Sequence, residues 1–310
     1  MKLIPTAAIL AATLLLSGCA DVTELGDRAI IQLAAIDHDE DGYHLSALLF
    51  SAGGSGGTID VTKDNVIKVT GSGETLGDAI AQLSLADGKD IYMSEARLIV
   101  LGGGFEDESA ISALNMLYRD MRCSLSTPVC CMKDAELITD LEFTEGITAA
   151  EKPFSMIRNA ELMGMTQETR LLDILADNAA GRATLIPSLG ETKNGSGMTT
   201  DKKGRTAVPN GSRMMVDGKL TGFADMEQTT GYLLLSGLAD SIALSYIADG
   251  EEYRCEAYNI RAELISPEKF TIDADLRSTG GAPLTEEHEM LARHKLTALA
   301  EKGAALLGSA

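Results

Sequence analysis

Apolar positions along this chain follow several rhythms, and the rhythm changes from segment to segment. Residues 29–36 form a nearly continuous apolar run (Ile30, Ile31, Leu33, Ile36), the pattern of a strand covered on both faces. A polar turn at 37–42 follows, and 43–50 return as a second strand. A glycine-rich loop at 53–57 separates them from a third, short strand at 66–69. Thr75 then opens a helix. Asp78 stands three residues on, close to a capping box, and Leu76, Ala79, Ile80 and Leu83 line the inner face. Residues 97–101 read as another strand, ended by Gly102-Gly103-Gly104. The spacing next predicts a helix over 108–119 that buries Ala110, Ile111, Leu114 and Tyr118, and then a strand over 127–132. Strands interleaved with amphipathic helices predict an α+β fold, mixed sheets with packed helices in two to three subdomains.

The second half is patterned differently. Residues 152–180 are helical and less regular, with a second start near Thr166. Residues 190–210, rich in Gly, Thr, Lys and Asn, read as a linker between an N-terminal α+β domain (19–189) and a C-terminal α+β region (211–310). Beyond it, two apolar runs flank Asp217-Gly218, a strong signal for a tight hairpin. A helix over 225–235 stops at Gly237. Leu233, Leu234 and Leu235 make its end apolar on several sides, so it is buried by a second domain or by a partner. Glu227, on the polar side, is the candidate partner contact. Strands are expected at 242–247, 253–264 and 270–276. Thr285 caps a final helix with Ala292, Leu296, Leu299 and Leu306 on one face.

The N-terminus changes the picture most. Lys2 precedes an apolar stretch over 3–16, then Leu16-Ser17-Gly18-Cys19. Residues 1–18 read as a secretory signal peptide, too short for a comfortable membrane span. The bulky-small-small-Cys ending resembles the bacterial lipobox, in which the thiol of Cys19 would take a diacylglyceryl group. One acyl chain anchors marginally and two anchor stably. Composition agrees with a globular chain of 310 residues, 45% hydrophobic and 23% charged. The net charge of -20, with no Lys/Arg cluster, excludes a nucleic-acid binder.

Candidate chemistry is sparse, and no catalytic residue, cofactor or metal site is predicted. Ser55 in Gly53-Gly54-Ser55-Gly56-Gly57 fits the letters of a nucleophile elbow, but the following Thr58-Ile59-Asp60-Val61 is extended where a helix belongs. Asp37, Asp39 and Asp41 match half of a calcium loop whose twelfth position, Leu48, lies in a strand, so tight calcium binding is not expected. His288 and His294 stand six apart on the last helix and cannot share a metal; both are expected to face solvent. Cys123, Cys130, Cys131 and Cys255 remain after Cys19. A disulfide from Cys123 to Cys130 or Cys131 is sterically conceivable, and buried free thiols are the alternative. Adjacent Cys130 and Cys131 point to opposite faces of a strand.

Taken in order, several short motifs resemble the spore-germination lipoproteins of the Ger(x)C type, the C subunits of germinant receptors. They are Leu16-Ser17-Gly18-Cys19, Arg28-Ala29-Ile30, Ala35-Ile36-Asp37, Asp41-Gly42-Tyr43, Gly73-Glu74-Thr75-Leu76, Arg119-Asp120 and Val216-Asp217-Gly218-Lys219-Leu220-Thr221-Gly222-Phe223, followed by Glu227, Gly231 and Tyr232. The resemblance implies a non-catalytic, acyl-anchored subunit on the outer face of the spore inner membrane. Its partners would be integral-membrane receptor subunits of the A and B types. Because members of the family usually run past residue 310, it also implies a shortened last subdomain. A solute-binding lipoprotein serving a transporter is the alternative reading.

Overall fold

The computed structural model describes residues 28–50, 66–141, 151–193, 204–266, 269–279 and 283–307. Cys19, the signal peptide, and Ser55 with its glycine-rich segment lie outside these residues.

The long apolar runs become the centre of one large sheet. Its strands are β1 (Arg28–Asp39), β2 (Gly42–Phe50), β3 (Val66–Gly73), β4 (Asp90–Tyr92), β5 (Leu98–Leu101), β6 (Pro128–Met132), β7 (Thr169–Arg170), β8 (Thr184–Lys193), β9 (Arg205–Val216) and β10 (Lys219–Asp225). They lie in the order β10-β9-β8-β6-β5-β1-β2-β3, with β4 beside β1 and β7 beside β6. Neighbours among β8, β6, β5 and β1 pair in parallel; antiparallel hairpins extend the sheet on both flanks. Parallel pairing requires crossovers, and helices supply them. α1 (Leu76–Asp87) lies between β3 and β4, and α2 (Ala110–Arg119) joins β5 to β6. α3 (Leu137–Asp140), α4 (Glu151–Leu162) and α5 (Leu171–Ala179) lie between β6 and β8.

Helices on both faces explain why the central strands are apolar without alternation. One core joins Ile36, Ile99, Leu101 and Cys131 to residues of α1, α2 and α5; the other joins Leu33, Leu98, Val100 and Cys130 to α3 and α4. Cys130 and Cys131 thus face opposite cores, and Cys123, Cys130, Cys131 and Cys255 are all free and buried. Thr75 forms the expected capping box with Asp78, and the residues buried on α1 are Leu76, Ala79, Ile80 and Leu83.

A smaller unit follows. β11 (Ser241–Ala248), β12 (Glu251–Ser266) and β13 (Lys269–Ser278) form an antiparallel sheet. α6 (Met226–Leu235) and α7 (Glu286–Leu307) cover one face of it. Here the pattern does alternate: Ile242, Leu244, Tyr246 and Ala248 are buried, and Ala243, Ser245 and Ile247 are exposed. Asp249-Gly250 closes the β11–β12 hairpin with positive φ at both residues (50° and 82°), matching Asp217-Gly218 (49° and 81°).

Four expectations change. Both ends of the segment expected as a linker are strand: Gly190 pairs with Val208, Glu191 with Ala207, Thr192 with Thr206 and Lys193 with Arg205, so the ends of β8 and β9 form an arm of the large sheet, and 194–203 lie outside the described residues. The buried residues of that arm are small, Thr206 and Ala207, so it carries no apolar run. On α2 the buried stripe is Ala110, Ala113, Leu114 and Leu117, while Tyr118 is exposed. Packing selected the i, i+3, i+4, i+7 face and turned the phenol out. On α7, His288 is half-buried with its ring 4.3 Å from that of Tyr253, not solvent-facing; His294 is exposed. Leu306 is half-buried, and the inner face ends in Ala300, Gly303 and Ala304.

Candidate functional site

β5 and β6 end side by side, at Leu101 and Met132, while β8 runs on past them. After β5 comes Gly102-Gly103-Gly104, whose backbone approaches the end of β1 so closely that a Cβ at Gly102 would collide with the Asp37 carboxylate and one at Gly104 with the His38 carbonyl. The Asp37 carboxylate is turned inward, accepting from the N–H groups of Gly104 and His38, each at 2.9 Å. Burial raises its pKa, against the opposing effect of those two N–H groups. Asp39 instead accepts from the Asp41 N–H at 2.8 Å and contacts His44 Nε2 at 2.9 Å, and its hydrogen bond with His44 lowers its pKa. The half calcium motif is therefore split: Asp37 ties two strand ends together, and Asp39 pairs across the hairpin.

Two adjoining cavities of about 640 Å³ and about 530 Å³ follow this carboxyl edge and share Gly103, Lys133 and Asp134. Clefts at the carboxyl ends of parallel strands are where open sheets with crossover helices bind ligands. The larger cavity is walled by the ends of β5 and β6 and by the β8–β9 arm, which rises past them because β6 stops at Met132, opposite Leu189. Leu101, Cys131, Met132, Leu189 and Leu220 make one side apolar, with half-exposed Phe223 at the rim. Burial pushes the Cys131 thiol up to about 12, which keeps it protonated at neutral pH. The acids around the cavity are held by arginines. Arg205 reaches Asp134 at 3.3 Å and Glu191 at 3.7 Å, and Arg213 donates to Glu106 at 2.5 Å. Lys133 is exposed at the shared mouth and has no ion pair among the described residues. Arg213 Nε and Asn210 Oδ1, both buried at the back wall, have no hydrogen-bond partner among the described residues.

Glu227 lies elsewhere. It sits in the first turn of α6, after the N-cap Asp225, and its carboxylate is gripped by two lysines of α7, Lys295 at 2.5 Å and Lys302. The bonds from Lys295 and Lys302 hold its pKa down at about 2. Between those lysines the helices touch backbone to backbone, where a Cβ on Gly231 would collide with the Leu299 carbonyl and one on Gly303 with the backbone of Gly231. Glu227 therefore clamps two helices within the chain. The cavity residues Lys133, Asn210 and Arg213 were not legible as a site in the sequence, because they come from β9 and from the turn after β6, far apart along the chain.

The fold and cleft define a mixed α+β protein in which no group of three or more His, Cys, Asp or Glu among the described residues is placed to hold a metal. Residues 21–190, more than half of the chain, match the family described as the spore germination protein N-terminal domain, and the chain belongs to that family. A crystal structure of the GerBC protein matches with 17% identity over 87% of this chain and 80% of that one, at a TM-score of 0.47. A search of the curated proteins finds no match.

Proposed function

We propose that this chain is the non-catalytic, lipid-anchored subunit of a nutrient germinant receptor. It would be held at the outer face of the spore inner membrane and act with integral-membrane subunits of the A and B types. The observation that carries the reading is the family match across residues 21–190. Two others support it. The Leu16-Ser17-Gly18-Cys19 sequence supplies an acylation site for the anchor. No helix among the described residues is long and apolar enough to cross a membrane, so a membrane-bound role calls for an anchor or a partner. In this reading the buried strands and paired acids described above are scaffold, and partner contacts lie on exposed surface.

The test is recovery from spore membranes. A tagged chain should bring down two integral-membrane subunits, and a strain lacking the chain should lose its germination response to nutrient. Cys19→Ala should release the chain from the membrane fraction at high salt once those subunits are absent. Recovery of a permease with an ATPase, together with normal germination, would establish the solute-binding reading instead.

A further inference from the structure

We infer that the larger cavity at the carboxyl edge of β5 and β6 is a binding site for a neutral organic molecule with a carboxamide and an apolar body, the carboxamide pairing with that of Asn210 and the body lying between Leu189, Leu220 and Phe223. This assignment goes beyond the receptor reading and is independent of it.

The charges decide that the ligand is neutral. The charged residues of the lining, Lys133, Asp134, Glu191 and Arg213, balance one another. Asp134 and Glu191 are tied to Arg205, and Glu106 is tied to Arg213. In the adjoining cavity Glu136 is tied to Lys68 at 2.7 Å, Asp39 to His44, and Asp37 to two backbone N–H groups. A cation therefore meets no free carboxylate. An anion passes Asp37, Asp39, Glu106, Asp134 and Glu136 with only Lys133 to receive it. Burying a charge without a partner is costly, so the cavity favours an uncharged molecule.

Asn210 decides what that molecule carries. Ser188 pairs with Gly211 and Leu189 with Pro209, so Asn210 is an extra residue with none opposite it. Such a bulge re-aims a side chain, and Asn210 lines the cavity. Gly190 makes room for it, since a Cβ there would collide with the Asn210 carboxamide. The carboxamide so placed has no hydrogen-bond partner among the described residues, and its Oδ1 is buried. Half a turn about its last torsion exchanges the acceptor and donor ends. A second carboxamide answers both ends at once without adding charge. Arg213 supplies a further open donor, because it spends a terminal nitrogen on Glu106 and leaves Nε without a partner. Buried donors and acceptors left unpaired carry a desolvation cost that a matching ligand relieves. Size and lining suit the apolar body. At about 640 Å³ the cavity is of the size that holds small ligands, and such sites combine an apolar lining with a few placed polar groups. Leu189 and Leu220 line it, and Phe223, 46% exposed on β10, stands at the rim, where water leaves the ring when an apolar body lies against it.

The experiment is a calorimetric titration of the full chain with 4-phenylbutanamide, beside three probes of the same shape. 5-Phenylpentan-2-one keeps the carbonyl and lacks the N–H, 4-phenylbutanoate is an anion, and 4-phenylbutylamine is a cation. The amide should bind saturably and the other three at least about ten-fold more weakly, which corresponds to about 1.4 kcal/mol. Asn210→Ala should abolish the preference for amide over ketone, a ratio that a change in fold stability alone does not move. Phe223→Ala changes an exposed side chain and should leave the melting temperature unchanged while weakening the amide about three-fold, as loss of one rim contact does. No saturable binding of 4-phenylbutanamide, equal binding of the ketone or of either charged probe, or an unchanged amide-to-ketone ratio in Asn210→Ala would each overturn the assignment.

Discussion

The large sheet and the small C-terminal unit are built from similar residues, yet they solve the burial problem in opposite ways. In the large sheet helices cover both faces, so central strands such as Leu98–Leu101 are buried at every position. In the small unit α6 and α7 cover one face, and the other carries pairs such as Arg277–Glu256 and Arg254–Glu252. Large apolar side chains thus fill the first region from two sides. The second has half the covered surface and depends on helices brought close enough for backbone to touch backbone at Gly231 and Gly303. The difference predicts where each is fragile. The large sheet tolerates loss of single contacts because its core is deep, whereas the small unit rests on one helix crossing.

The largest effect should come from blocking that crossing. Gly231→Val or Gly303→Val places a side chain inside the backbone of the opposite helix, an overpacking that costs about 3 kcal/mol or more. Hydrogen exchange should show protection lost in β11, β12, β13, α6 and α7, with β5 and β6 unaffected. Equal loss in β5 would mean that the two regions do not open separately and would break the comparison.

Next is Gly218→Val. Gly218 needs positive φ (81°), its carbonyl accepts from the Ala110 N–H at 2.9 Å, and a Cβ there would press on Ile111 and Ser109. Strain and displacement together should cost about 2 kcal/mol, read by chemical denaturation. The same change at Gly250 meets no neighbour, so its effect should be smaller.

Glu227→Ala should cost about 1 kcal/mol, since exposed ion pairs contribute little each and two are lost. Its pH dependence sharpens the assignment. The folded pKa of about 2 lies below the ordinary 4.5, so the clamp contributes fully above pH 4.5 and is lost as pH falls toward 2. The stability gap between wild type and variant should therefore close across that window. A melting temperature unchanged in the variant at neutral pH, with the partner subunits no longer recovered, would make Glu227 a partner contact after all. Smallest of all should be Arg277→Ala on the exposed face, within about 0.5 kcal/mol by thermal melting.

The amino-acid sequence by itself determined the local elements and their caps. The unbroken apolar run at 29–36 marks a central strand, Thr75 and Asp78 mark a helix start, and Asp217-Gly218 fixes a hairpin, because each depends on neighbours within a few residues. It also supplied the motifs that point to the germination family. What only the tertiary structure decided was everything that joins distant segments. Composition at 190–210 reads as a linker, yet register between 190–193 and 205–208 makes its two ends a wall. The stripe on α2 and the burial of His288 followed from what packed against them. Lys133 and Arg213 share one cavity because parallel pairing aligns the ends of β5 and β6 beside β8 and β9. Glu227 meets Lys295 and Lys302 because two glycines let α6 and α7 cross in contact. Periodicity records which face of an element is covered, and it holds no record of what covers it.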